Sequence, residues 1–139
     1  MRSWLSKLIG QSRHAQDPDF GKITYMGGYW EGTGVFPPTQ SEAEYFVTAD
    51  EHGPSDANRQ AFHIICSNYA GLLERAATVI SSETQSVVNA CDLSISSMDV
   101  PSGDLDASTW EMNFSGADDT FYSVEYNGLN ATGAVDVSY

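Results

Sequence analysis

Between residues 62 and 80, Phe62, Ile65, Tyr69, Leu72, Ala76 and Ile80 recur at intervals of 3, 4, 3, 4 and 4. That spacing places all six on one stripe of an α-helix. A helix with a single apolar stripe is stable only when something covers it, and the segments on both sides of it alternate with period two. The pattern therefore predicts one long amphipathic helix lying on a sheet. Ser55 or Asp56 is placed to cap its first turn, offering a side-chain oxygen to N–H groups that lack helical partners. The same rhythm extends through Thr84, Val87 and Cys91, which leaves its C-terminal end open.

Strand signals precede this helix. Ile23 and Tyr25 alternate with Lys22 and Thr24, Tyr29 to Phe36 contains Trp30, Val35 and Phe36, and Glu44 to Ala49 (EYFVTA) is rich in residues that suit a pleated surface. Gly27-Gly28 predicts a tight turn between the first two strands, because glycine reaches the positive φ that hairpin turns demand. Pro37-Pro38 ends the second, since proline cannot donate to a ladder. Tyr25, Tyr29 and Trp30 can form an aromatic contact surface or pack inward, with Trp30 as either core anchor or exposed contact.

After Leu93 the period of two returns. Ile95, Ser97 and Asp99 alternate with Ser96, Met98 and Val100. Trp110, Met112 and Phe114 share one face of WEMNF, Tyr122, Val124 and Tyr126 one face of FYSVEY, and Val135 with Val137 one face of AVDVS. GADD and NGLNATG supply turns between them. The C-terminal third thus predicts an antiparallel meander with one apolar and one acidic face. The whole predicts an α+β fold of mainly antiparallel sheet or sheets, in strands-helix-strands order with the helix packed on a sheet face. Ahead of it, Trp4, Leu5, Leu8 and Ile9 at helical spacing predict a short amphipathic segment, and QSRHAQDPD a linker. Residues 1–16 then form an N-terminal segment and 17–139 a single α+β domain, as expected for 139 residues.

Charge narrows the partners. The 19 acidic residues face only 6 basic ones, for a formal net charge of −13. Binding to nucleic acid draws on clustered Lys and Arg to neutralise phosphates, and no such cluster is present. Nothing basic occurs from Ala76 to Tyr139, a stretch with ten carboxylates. A surface this negative speeds encounter with a basic partner, and it also serves solubility. No window approaches the roughly 18 apolar residues of a membrane span. MRSWLSKLIG lacks the apolar core of a secretory leader, so a reducing cytoplasm with Cys66 and Cys91 as free thiols, both packed as small buried hydrophobes, is expected.

Motifs for chemistry are sparse. Gly27, Gly28, Gly32 and Gly34 have neither the GxGxxG nor the GxxxxGK[ST] spacing, and no helix follows them to present its N-terminus to phosphate. Asp104, Asp106, Asp118 and Asp119 lack the EF-hand register. His14, His52 and His63 have no partner at ligand spacing. The Asp50-Glu51-His52 trio is the one local constellation able to bind a metal or act as an acid/base pair. No cofactor, metal ligand set or catalytic residue is assigned.

The order FG-x-I-x-Y, W-E-G, a GP-containing loop, one long helix, then W-E-M-N-F, Y-S-V-E-Y and V-D-V, across residues 19–137, resembles small bacterial proteins grouped as domains of unknown function. Some proteins of that kind are encoded beside polymorphic or contact-dependent toxins and are regarded as immunity proteins. The resemblance implies an α+β fold, a bacterial cytoplasmic setting and no established catalytic residues. The expectation is a non-enzymatic acidic binding protein, with a basic toxin as its partner and Tyr29, Trp30, Glu31, Asp118, Asp119 and Glu125 as binding residues. Two alternatives stay open: a small metal-dependent or acid/base enzyme using Asp50-Glu51-His52, and a structural homo-oligomer.

Overall fold

The computed structural model describes residues 13–139. Strands β1 (His14–Asp17), β2 (Gly21–Tyr25), β3 (Tyr29–Phe36) and β4 (Ser41–Thr48) come first. Helices α1 (Asp56–Ser67) and α2 (Tyr69–Thr84) follow, then β5 (Ser94–Val100), β6 (Thr109–Ser115), β7 (Phe121–Asn127) and β8 (Asn130–Ser138). All eight strands join one sheet in sequential order, antiparallel throughout except where β4 pairs with β5. That parallel pairing follows from connectivity: a hairpin turn cannot join parallel neighbours, and the two helices supply the crossover.

Two expectations are corrected here. The strands-helix-strands arrangement around one long helix gives way to a single eight-stranded sheet with two helices of 12 and 16 residues, divided at Asn68. Asn68 sits at φ −113° and ψ 13°, and its side-chain amide donates to Ile64 O at 2.8 Å. Its torsions leave the helical region while its N–H still donates to Ile64 O (3.2 Å) and its carbonyl accepts the Leu72 N–H (3.0 Å), so the two helices meet at this one residue. The apolar stripe survives the break, with all six of its residues buried. Helix α2 ends at Thr84, where Gln85 adopts a left-handed conformation, so the continuing rhythm through Val87 and Cys91 is not helical. The second correction concerns the linker, since His14–Asp17 pairs with β2 as an edge strand. The amphipathic segment expected near Trp4 lies outside the described residues.

Among the described residues, α1 and α2 cover one sheet face and leave the other open. Ser55 caps α1 in a reciprocal capping box with Asn58. Asn58, fully buried, turns its amide to Thr48 O (3.1 Å) and Pro101 O (2.8 Å), and so pins the start of α1 to the ends of the parallel pair. Phe62 meets Phe20 and Tyr45 edge to face. Tyr126 on β7 donates its hydroxyl to Leu72 O at 2.8 Å and thereby docks α2.

Trp30 belongs to this core. It is 4% exposed, lies 5.1 Å from the Tyr25 ring, and donates Nε1–H to Asp50 O at 2.7 Å. Two neighbouring positive-φ glycines, Gly27 (+89°) and Gly28 (+94°), make the β2–β3 turn, as a two-residue hairpin loop requires. In β5 a register shift between Ile95 and Ser97 inserts one extra residue, which puts Ile95, Met98 and Val100 together on the buried face. Strict alternation would have turned Ile95 outward.

Candidate functional site

With α1 and α2 on one face, the outward residues of the strands form a mainly polar surface, interrupted by Tyr29, Val35, Phe46 and Phe121. One row runs across all eight strands through Gln16, Lys22, Thr33, Glu44, Ser97, Asn113, Ser123 and Asp136. Asn113 Nδ2 donates to Ser97 Oγ at 2.8 Å, and Ser123 Oγ to Asn113 Oδ1 at 2.5 Å. These bonds fix the middle of the row.

The neighbouring row carries charge and an aromatic ring. Glu31 on β3 pairs with Phe46 on β4, and Phe46 with Asp99 on β5. The Glu111 N–H donates to Asp99 Oδ2 at 3.2 Å, and Glu111 stands directly opposite Glu125 on β7. Thr132 Oγ1 donates to Glu125 Oε1 at 2.8 Å. Burial raises the pKa of Asp99 above the ordinary carboxylate value, against the opposing pull of the Glu111 N–H. Glu111 is raised too, first by burial and then by the charges of Asp99, Asp136 and Glu125. Like-charged groups held this close resist ionisation. A cation brought to the face relieves that repulsion.

At one end of the strands the face dips into an open depression of about 500 Å³, lined by Tyr29, Phe46, Thr48, Asp99, Pro101 and the turn glycines Gly27 and Gly28, among others. Tyr29 is 37% exposed there and Phe46 half-buried.

The six residues expected to bind a partner are divided. Tyr29, Glu31 and Glu125 share the open face. Trp30 faces the helices, and its burial corrects its assignment as a contact residue. Asp118 and Asp119 lie in the β6–β7 turn, both at positive φ (58° and 57°), at the end of the strands away from the depression. Phe46 and Asp99 also line this face, although no local motif marks them as contact residues. A signal existed for the first: once Tyr45 and Val47 point inward, alternation leaves Phe46 as an aromatic on the polar face.

The loop trio is arranged differently. His52 N–H donates to Asp50 Oδ1 at 2.9 Å, and that bond, ahead of the His52 ring 3.2 Å away, holds the Asp50 carboxyl below its usual range. Both side chains are largely in solvent. Among the described residues no three of His, Cys, Asp and Glu are gathered to hold a metal ion.

A second ionic cluster, invisible to local motifs, ties α1 to the first hairpin. Arg59 donates to both oxygens of Asp17 and to Asp19 Oδ2, and His63 Nε2 lies 3.1 Å from Asp19 Oδ1. Cys66 is partly buried, its thiol pushed up to about 12 by burial and by Asp19. Cys91 is exposed in a one-turn 3₁₀ helix, which corrects its reading as a buried hydrophobe. Among the described residues no helix is long and apolar enough to cross a membrane.

No known protein family matches the chain, and neither a curated protein nor a solved structure matches it significantly.

Proposed function

We propose that this chain is a non-enzymatic binding protein that presents the open face of its sheet to a basic protein partner. One observation carries the reading: Glu31, Glu44, Asp99, Glu111, Glu125 and Asp136 share a face that neither α1 nor α2 covers, with Lys22 as the basic residue among the described strand residues there. Complementary charge of this kind steers encounter and selects against acidic partners. The resemblance to proteins that include toxin-immunity families supports a basic toxin as the partner and the bacterial cytoplasm as the setting. Relief of repulsion around Glu111 on meeting a cationic surface adds to the favourable balance.

The test compares two variants of equal net charge. Glu31→Lys/Glu125→Lys alters the open face, and Glu74→Lys/Glu83→Lys alters exposed positions on α2. Native lysate is passed over each immobilised protein at low and high salt. A salt-sensitive partner held by the wild type and the helix variant, and lost by the face variant, is expected. Equal capture by both variants, or no salt-sensitive partner at all, would refute the proposal.

A further inference from the structure

We infer that the depression at the β3–β4–β5 end of the open face receives one arginine side chain of the basic partner, with Phe46 as its platform and Asp99 as its principal anion; the inference rests on the binding role proposed above. Phe46 is the aromatic residue in a row whose neighbours on the adjoining strands are both carboxylates, Glu31 on β3 and Asp99 on β5. Adjacent strands lie about 4.8 Å apart, so a planar cation over the Phe46 ring is within reach of an acid on either side. A guanidinium fits this arrangement better than an ammonium. It stacks on an aromatic face within about 6 Å of the ring centroid, and its rigid fork of donors satisfies a carboxylate through two bonds.

The depression has the room and the walls for such a group. Tyr29 rises at its border from the end of β3, Thr48 and Pro101 line it, and Gly27 and Gly28 leave the turn side without side chains, with open space where each Cβ would stand. Asp99 is already oriented, because Oδ2 accepts the Glu111 N–H at 3.2 Å. Its half-burial makes an incoming cation more strongly felt there than at a solvated carboxylate, since screening by water is reduced. The acidic residues along the row, Glu111 and Glu125, lie outside the depression and supply the broader field.

The probes are acetylated, amidated hexa-arginine and hexa-lysine peptides, titrated at low salt into the isotopically labelled full chain and followed by NMR. Hexa-arginine is expected to bind about threefold more tightly or better, and to shift the Phe46 and Asp99 amides most. Phe46→Leu should abolish that preference by weakening hexa-arginine binding more than hexa-lysine binding; Tyr29→Leu, at the border of the depression, should reduce it if Phe46→Leu does not fold. Asp99→Asn, which keeps an acceptor for the Glu111 N–H, should weaken hexa-arginine binding about fivefold and by more than Glu125→Gln does. Equal affinities for the two peptides, or equal losses for Asp99→Asn and Glu125→Gln, would show a diffuse acidic face; that overturns the arginine socket and leaves the binding role standing. Failure of both peptides to bind, or binding indifferent to Glu31→Lys/Glu125→Lys, would remove the binding role and the socket together.

Discussion

Arg59 on α1 grips Asp17 on β1 through two parallel hydrogen bonds, Nη2 to Oδ1 at 2.7 Å and Nη1 to Oδ2 at 3.0 Å. Asp17 is only 7% exposed, and its Oδ2 also accepts the N–H groups of Asp19 and Phe20. The pair therefore ties a helix to an edge strand and closes the first turn at the same point.

Truncating Arg59 leaves the Asp17 carboxylate buried with only its two backbone donors. Loss of one partner from a buried pair commonly costs about 3–5 kcal/mol. Because Arg59 is itself 29% exposed and the backbone donors remain, Arg59→Met should cost about 2 kcal/mol, read from urea unfolding at neutral pH. Burial works against the ionised form of Asp17, but Arg59 and the backbone N–H groups outweigh it, and its pKa is lowered on folding. That stability is present above the unfolded carboxylate value and is lost as pH falls through the folded one. The Arg59→Met deficit should shrink correspondingly in acid.

Glu111 behaves in the opposite sense. Its pKa is raised on folding, so the folded state holds the proton more tightly and stability falls as pH rises from the unfolded toward the folded value. Directly opposite like charges cost about 0.2–1 kcal/mol. Glu111→Gln should therefore stabilise the protein by about 0.5 kcal/mol at neutral pH and low salt. The gain should shrink at high salt, which screens the like charges but not the burial, and should vanish below the unfolded carboxylate range, as followed by thermal melts at several pH values.

The two thiols should react in separate phases. Cys91 is exposed, whereas burial and Asp19 push the Cys66 thiol up to about 12. Thiolate is the reactive form, so a chromogenic disulfide reagent should modify Cys91 rapidly and Cys66 only on unfolding. Fast modification of both in the folded protein would contradict this packing.

Glycines at positive φ should not be equivalent. Gly21 lies at +74°, and a Cβ there would stand 2.1 Å from Thr33 O, whereas one at Gly28 would meet nothing within 4 Å. Gly28→Asn should cost less than about 1 kcal/mol, because Asn tolerates the left-handed region. Gly21→Ala should cost more than about 3 kcal/mol, since backbone strain adds to a clash with main chain.

Short-range order was legible in the residues themselves. The stripe from Phe62 to Ile80, the Gly27-Gly28 turn, the alternation of Trp110, Met112 and Phe114, and the acidity of the C-terminal third all follow from which neighbours seek water, and the fold keeps each of them. Such patterns span a few residues, where torsional preference and solvent partition decide the outcome. Tertiary structure decided the rest. Arg59 and Asp17 are 42 residues apart in the chain, β1 is held by its pairing with β2, and the helix is divided where Asn68 leaves helical torsions. Glu31, Phe46 and Asp99 come side by side only because the helical crossover sets β5 parallel to β4 in one register. No local pattern encodes that register, because it is chosen by how the inward faces of distant strands pack beneath α1 and α2.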